Sequence, residues 1–253
     1  MATISKVVDL GSMPGVATVN GDRLTSITTG SGEVDKKLGG GIPVGSLTLI
    51  EGQSGAGKSV LTQQLTSGAL TSGVKVAYFT TENTVKSLID QTASLGMEMT
   101  DYYLMDRLRV MPIPLLAGDS APEAMGQALV EVVHDLPPMF SAVMIDSVTN
   151  LIVRGSETQV IDFFSRCKME CDRGRTIFLI AHSHAFNEQF LTRVRSLCDA
   201  HLSLKTEAVG ESLMKIMEVA KVRGAEKSTG NIVSFDVEPG LGMNIIPVSK
   251  AKA

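Results

Sequence analysis

The chain has 253 residues, of which 43% are hydrophobic and 20% charged, a composition typical of one large globular domain or at most two small ones. The 23 Lys and Arg residues against 27 Asp and Glu residues give a formal charge of -4, which argues against constitutive coating of nucleic acid. The mean hydropathy of +0.17 disfavours disorder, and three cysteines, Cys167, Cys171 and Cys198, are too few for a disulfide scaffold.

The amino terminus does not resemble a targeting signal. Asp9 interrupts its apolar residues, and no small-residue cleavage pattern follows. No stretch approaches the roughly eighteen uninterrupted apolar residues of a membrane-spanning helix. Together with the small number of cysteines, these observations predict a cytoplasmic protein without direct membrane insertion.

Residues 1 to about 45 are rich in Gly, Ser and Thr and are predicted to form a lead-in that ends in the turn-forming cluster 38–43. Beyond it, short apolar runs alternate with helix-length amphipathic segments. The predicted strands cover residues 46–51, 75–80, 108–113, 142–146 and 176–181, and the predicted helices cover 58–70, 84–95, 122–134 and 157–173. Near-continuous apolar strands between helices predict an α/β fold with a parallel sheet covered on both faces.

The alternation of predicted strands and helices stops after about Asp199. Residues 201–205, 213–222 and 232–237 look like strands, and turn-forming residues at 210–211 and 224–230 separate them. We therefore expect antiparallel strands to extend the edge of the sheet.

The strongest motif is the stretch from Gly52 to Ser59, GQSGAGKS, which follows an apolar strand and opens a helical pattern. Its glycines allow backbone N–H groups to surround a polyphosphate, and the helix adds the positive end of its dipole. The predicted nucleotide-binding residues are Gly52, Gln53, Ser54, Gly55, Ala56, Gly57, Lys58, Ser59 and Val60. Within this phosphate loop, Lys58 is expected to reach the β- and γ-phosphates and Ser59 to ligate Mg²⁺.

Two acidic residues stand at the ends of apolar strands. Asp146 closes the run from Ala142 and is predicted to be the second Mg²⁺ anchor, because a buried carboxylate needs a cationic partner; the alternative is an Asp that caps the next element. Glu82 follows the strand at 75–80 and is predicted to activate the attacking water. The alternative for Glu82 is a structural position at the start of the next helix.

Three further side chains are candidates on weaker grounds. His182 ends the strand that we expect beside the Asp146 strand, where it is either a phosphate sensor or a structural histidine. Lys221 and Arg223 point to one face of a strand, have no evident helical partner, and also fit a solvated edge strand. Cys167 and Cys171 stand one helical turn apart, but no second pair in the sequence completes a zinc site.

These motifs together resemble the RecA/KaiC-like ATPases. The matching segments are 30–43, the phosphate loop, 78–83, 143–147 and 221–224, and the similarity runs from about Thr25 to Val237. The resemblance implies a RecA-like P-loop fold in which residues 1–24 are a lead-in and 25–253 a single ATP-binding domain. It also implies that Glu82 activates water and that Lys221 and Arg223 reach a neighbouring subunit's nucleotide across a ring. KaiC-like proteins carry adjacent glutamates at the water-activating position, whereas Asn83 follows Glu82 here.

Within that superfamily, the flanking residues 49–52, 57–64 and 79–82 resemble the FlaH (ArlH) family, the cytosolic ATP-binding components of the archaellum. This resemblance implies a hexameric ring that docks on the motor ATPase FlaI, inside a FlaX-type scaffold at the cytosolic face of the motor, with Mg·ATP controlling the interaction. Three alternatives stay open: a stand-alone ATPase that drives movement, a KaiC-like signalling ATPase or autokinase, and a RadA-like DNA-dependent ATPase. The last is disfavoured because segments 153–158 and 183–188 are short and contain Arg154 as their single Lys or Arg.

Overall fold

A nine-stranded sheet forms the centre of the computed structural model, which describes residues 18–19, 22–113, 122–209, 212–230 and 232–246. Two short antiparallel pairs precede it along the chain. The strands are β1 (Thr18–Val19), β2 (Asp22–Arg23), β3 (Ser26–Ile27), β4 (Ile42–Pro43), β5 (Leu47–Gly52), β6 (Val76–Thr80), β7 (Leu108–Pro112), β8 (Ala142–Asp146), β9 (Thr176–His182), β10 (Ala200–Val209), β11 (Ser212–Val222), β12 (Ile232–Glu238) and β13 (Gly242–Ile245).

Helices cover both faces of this sheet. They are α1 (Gly32–Lys37), α2 (Lys58–Thr71), α3 (Val85–Ser94), α4 (Thr100–Leu104), α5 (Pro122–Asp135), α6 (Thr149–Arg154), α7 (Glu157–Asp172) and α8 (Glu188–Leu197), with a 3₁₀ turn at Ser183–Ala185. Buried side chains of α1, α2 and α3 pack against one face of the sheet, and those of α5, α6, α7 and α8 against the other. Among the described residues, no helix is long and apolar enough to cross a membrane.

The strand order is β13-β12-β11-β10-β5-β9-β8-β6-β7. The six strands β10, β5, β9, β8, β6 and β7 are parallel to one another, whereas β11, β12 and β13 follow β10 by antiparallel pairing. The predicted fold class is therefore confirmed: a mostly parallel α/β sheet flanked by helices, with antiparallel strands at its C-terminal edge. β9 lies beside β8, as the sequence predicted for the strand ending at His182, and its other neighbour is β5.

The sequence analysis does not say which strand of the parallel sheet the C-terminal strands join. In the structure β10 pairs in parallel with β5, and the antiparallel pairing runs from β10 to β13. The sequence analysis missed two helices, α6 after Asp146 and α8 before Cys198. α6 has only six residues and gives less than two turns of periodicity, whereas Phe190, Val194 and Leu197 of α8 do have the spacing of one helical face. The predicted turn at 210–211 and the first part of the predicted lead-in, residues 1–17 and 20–21, lie outside the described residues.

The later part of the predicted lead-in belongs to the core. Ile27, Val34, Leu38 and Ile42 are almost completely buried against the face of the sheet that carries α2. Glycines in this segment hid the pattern, because the four apolar residues fall on two short strands and one six-residue helix rather than on one periodic element.

Candidate functional site

The phosphate loop joins the carboxyl end of β5 to the first turn of α2. Gly55 and Gly57 adopt φ values of +74° and +95°, in the left-handed region that glycine enters without a steric cost. Gly52 is pressed against the backbone of β10, because a Cβ atom placed on it would stand 2.1 Å from the carbonyl oxygen of Leu204. The strand, loop and helix thus have the arrangement that the motif needs to bind a polyphosphate at a helix N-terminus.

Lys58 is the first residue of α2 and is buried, with a relative exposure of 6%. Its Nζ donates a hydrogen bond to the carbonyl oxygen of Gln53 at 2.8 Å and lies 3.3 Å from His182 Nδ1. Burial lowers the pKa of Lys58, and the nearby Asp146, Glu82 and Glu51 carboxylates oppose this shift. The ammonium is therefore held at the loop, in a position to meet phosphate oxygens.

Asp146 ends β8 with a relative exposure of only 4%. Its carboxylate accepts a hydrogen bond from the Tyr78 hydroxyl, at 3.0 Å, and the Ser59 hydroxyl lies beside it. Burial raises the pKa of Asp146, although the two hydroxyl groups and Lys58 act in the opposite direction. A carboxylate and a hydroxyl side by side are the hard oxygen donors that Mg²⁺ uses when nucleotide phosphates complete its shell.

The sequence analysis did not identify Tyr78, because in the strand pattern it reads as one more apolar residue. Residues Thr80 and Asp146 are paired across β6 and β8, so Tyr78 lies two residues earlier on the same face as Asp146. The Tyr78 side chain is fully buried, and burial raises its pKa well above the ordinary value. It therefore acts as a neutral donor that orients the carboxylate. The strand parity could have revealed it once the β6–β8 pairing was known.

Glu82 lies just beyond β6, at the same edge of the sheet. The Thr80 hydroxyl oxygen accepts hydrogen bonds from the backbone N–H groups of Glu82 and Asn83, at 3.3 and 3.0 Å, and so fixes the turn that carries the acid. The Glu82 side chain is 58% exposed, and its Oε1 stands 3.9 Å from His182 Nε2. An exposed carboxylate here is open to water, as a general base needs to be.

His182 ends β9, directly beside Gly52 of β5. It lies between Lys58 and Glu82 and stacks on His184 with ring centroids 5.3 Å apart. Burial and the Lys58 charge lower the pKa of His182, which favours a neutral ring that accepts a hydrogen bond from Lys58. The structure thus brings together the predicted residues of β6, β8, β9 and the phosphate loop.

Lys221 and Arg223 lie elsewhere. Lys221 is level with Leu49 through the β11–β10–β5 register, and Arg223 lies beyond the amino end of β10. The Lys221 ammonium donates to the carbonyl oxygens of Arg195 and Cys198 at 3.1 and 2.5 Å, so it does have a helical partner, namely the C-terminal end of α8. Within one chain both residues stand on the opposite face of the sheet from the phosphate loop, and Arg223 also lies at the opposite end of the strands. Their action on a neighbour's nucleotide stays a prediction.

The three thiols Cys167, Cys171 and Cys198 are buried, and burial raises the pKa of each. Over the part of the chain that the structure describes, no group of three or more His, Cys, Asp or Glu residues is arranged to hold a metal ion.

Comparisons with known proteins agree with this geometry. The family described as KaiC ATPase matches residues 27–250. The archaeal flagellar ATP-binding protein FlaH of Sulfolobus acidocaldarius is 30% identical over 230 residues, which cover 90% of this chain and 99% of that protein. The crystal structure of the flagellar accessory protein FlaH from Methanocaldococcus jannaschii has a TM-score of 0.77 and 27% identity, and the match covers 88% of this chain and 99% of that one.

A KaiC-like protein from Pyrococcus horikoshii has the same fold, with a TM-score of 0.70 at 18% identity over 88% of this chain and 99% of that one. The family match covers most of the sequence, and the relatives are matched over nearly their whole length. The chain therefore belongs to the KaiC-like ATPase family and, within it, to the FlaH proteins.

Proposed function

We propose that the chain binds Mg·ATP at the phosphate loop and uses it to control association with the archaellum motor. The observation that carries the proposal is the meeting of Lys58, Ser59 and Asp146 at the junction of β5, α2 and β8. The loop amides and Lys58 would bind the triphosphate, while Ser59 and Asp146 would hold the metal. Mg²⁺ would neutralise phosphate charge there.

We also propose that hydrolysis is slow or depends on a partner, and the residues that one chain contributes to the site support this. Glu82 can orient a water, but its carboxylate is 58% exposed and sits beside a histidine with a lowered pKa rather than beside a second cation. A cation that stabilises the transferring phosphoryl group contributes a factor of about 10³ to 10⁵ in such reactions. Lys221 and Arg223 would supply that charge only from a neighbouring copy, which supports a homo-oligomeric ring, proposed to be a hexamer.

The motor context rests on the FlaH relatives, whose names describe flagellar ATP-binding and accessory proteins. We propose that this chain acts at the cytosolic face of the archaellum, docks on the motor ATPase FlaI and lies within a FlaX-type scaffold. ATP would regulate the docking by favouring one conformation of the ring through differential affinity.

The test is Lys58→Ala in the full chain, with Lys86→Ala on the exposed side of α3 as the matched control. Calorimetry is expected to show loss of Mg·ATP binding in Lys58→Ala only, and light scattering with purified FlaI is expected to show loss of ATP-dependent association. Unaltered association of Lys58→Ala with FlaI would contradict the regulatory role. Phosphate release of the ring at about 1 per second or faster would instead favour a driving ATPase.

A further inference from the structure

The phosphate loop lies against a row of side chains from the C-terminal strands. Thr206 pairs with Lys215 across β10 and β11, and Lys215 pairs with Phe235 across β11 and β12. Directly opposite residues share a face of the sheet, and Phe235 packs in the cluster that also contains α2. The row therefore stands on the same face as the first turn of α2.

Two contacts dock the loop on this row. The Gln53 side-chain oxygen accepts hydrogen bonds from the Thr206 backbone N–H and hydroxyl, at 3.1 and 3.0 Å. At the other end of the loop, a Cβ atom placed on Gly57 would stand 3.0 Å from the Phe235 ring and 3.9 Å from Lys215 Cδ. Gly57 immediately precedes Lys58, so the aliphatic stem of Lys215 passes close to the backbone that would cradle the phosphates.

In the structure the Lys215 ammonium forms an ion pair with a carboxylate. Its Nζ donates to Asp236 Oδ1 at 3.1 Å, and the Lys215 side chain is 25% exposed against 55% for Asp236. Two bonds of about 1.5 Å each separate Nζ from Cδ, so a rotation about the last bonds of the side chain can move the charge towards the loop. The Asp236 carboxylate is more than half exposed, and an ion pair with a solvent-exposed partner is weak enough to exchange.

We propose that Lys215 is a second lysine of the nucleotide site, one that leaves Asp236 and binds a polyphosphate oxygen when the loop is occupied. A phosphate carries more charge than one carboxylate and accepts strong charge-assisted hydrogen bonds. The backbone around Gly57 belongs to the part of such loops that cradles the α- and β-phosphates. Lys215 would therefore bind this part of the ligand, so ADP uses the contact as ATP does. The inference rests on the proposed binding of Mg·ATP.

The test compares calorimetric dissociation constants for Mg·ATP and Mg·ADP in the full chain. Lys215→Met keeps the stem beside Gly57 and removes the charge, and we expect about tenfold weaker binding of both nucleotides. Lys215→Arg is expected to recover most of the loss. Lys205→Met is the matched control, because Lys205 pairs with Glu207 on the same hairpin but lies opposite Ile216, on the other face of the sheet. It is expected to bind like the parent chain.

The variant Asp236→Asn breaks the ion pair but keeps the charge of Lys215, so it distinguishes an effect of that charge from an effect of losing the pair. If the ammonium serves the nucleotide, this variant binds as tightly as the parent or more tightly, because the competing carboxylate is gone. Equal affinity of Lys215→Met and the parent chain would overturn the inference, and so would equal weakening in Lys215→Met and Asp236→Asn. Failure of the parent chain itself to bind Mg·ATP would instead overturn the proposed function, so the two failures are distinguishable.

Discussion

Gly52→Ala tests whether the first glycine of the phosphate loop is required by the neighbouring strand. A Cβ atom at this position would stand 2.1 Å from the Leu204 carbonyl oxygen and 2.9 Å from its carbon. Carbon and oxygen atoms that contact each other normally stay about 3.3 Å apart, so the loop and β10 must separate by about 1 Å. The same movement weakens the hydrogen bond from Gln53 N–H to the Leu204 oxygen, now 3.2 Å long.

Overpacking of this kind costs about 1–3 kcal/mol, and a lost backbone hydrogen bond adds about 0.5–1.5 kcal/mol. The smaller conformational entropy of unfolded alanine returns about 0.4–1 kcal/mol. We therefore expect the free energy of unfolding in urea to fall by about 2–3 kcal/mol. Because the displaced residue begins the loop, Mg·ATP affinity is also expected to fall at least tenfold.

Gly32→Ala is the control for the urea and calorimetry measurements. Gly32 opens α1, and nothing lies within 4 Å of a Cβ placed there, so this variant should be as stable as the parent chain or up to about 1 kcal/mol more stable. If Gly52→Ala unfolds at the same urea concentration as the parent and binds Mg·ATP equally well, the contact with β10 does not constrain the loop, and the reasoning fails.

Three further outcomes are expected. Glu82→Gln should bind Mg·ATP normally while phosphate release by the assembled ring falls by about 10²–10⁴, the usual contribution of a general base; an unchanged rate would remove Glu82 from catalysis. At pH values above 7, Asp146→Asn should raise the melting temperature of the nucleotide-free chain. Burial raises the pKa of Asp146, so the parent chain gains stability as pH falls through that pKa, and the variant should lose this pH dependence. Equal melting curves for the variant and the parent chain would contradict the raised pKa of Asp146. Cys167, Cys171 and Cys198 should react with a thiol reagent only in urea, since burial raises their pKa values; rapid labelling of the folded chain would contradict it.

The sequence alone predicts those features of the candidate site that depend on residues close together along the chain or at the ends of strands. The phosphate loop needs glycines, a lysine and a hydroxyl within eight residues, and Asp146 and Glu82 follow apolar runs whose ends must meet at one edge of a parallel sheet. Contacts made across strands were not predictable in this way. The hydrogen bond from Tyr78 to Asp146 depends on the β6–β8 register, which no local pattern contains.

The C-terminal strands illustrate the same limit. Their residues predicted strands correctly, but β10 pairs in parallel with β5 and brings Thr206 to Gln53, a contact between residues 153 positions apart. The short helix α6 was missed because six residues give less than two turns of periodicity. Contacts between residues that are far apart in the sequence are therefore defined only by the folded structure.

The placement of Lys221 and Arg223 restricts how copies of this chain can associate productively. Under the proposed action in trans, a donor surface on the α8 side of one copy meets an acceptor surface at the phosphate loop of the next, and these two surfaces differ. Such an association is heterologous, so repeating it yields either a closed ring or an open helical array. A two-fold symmetric pair would align identical patches and could not complete the sites by this contact.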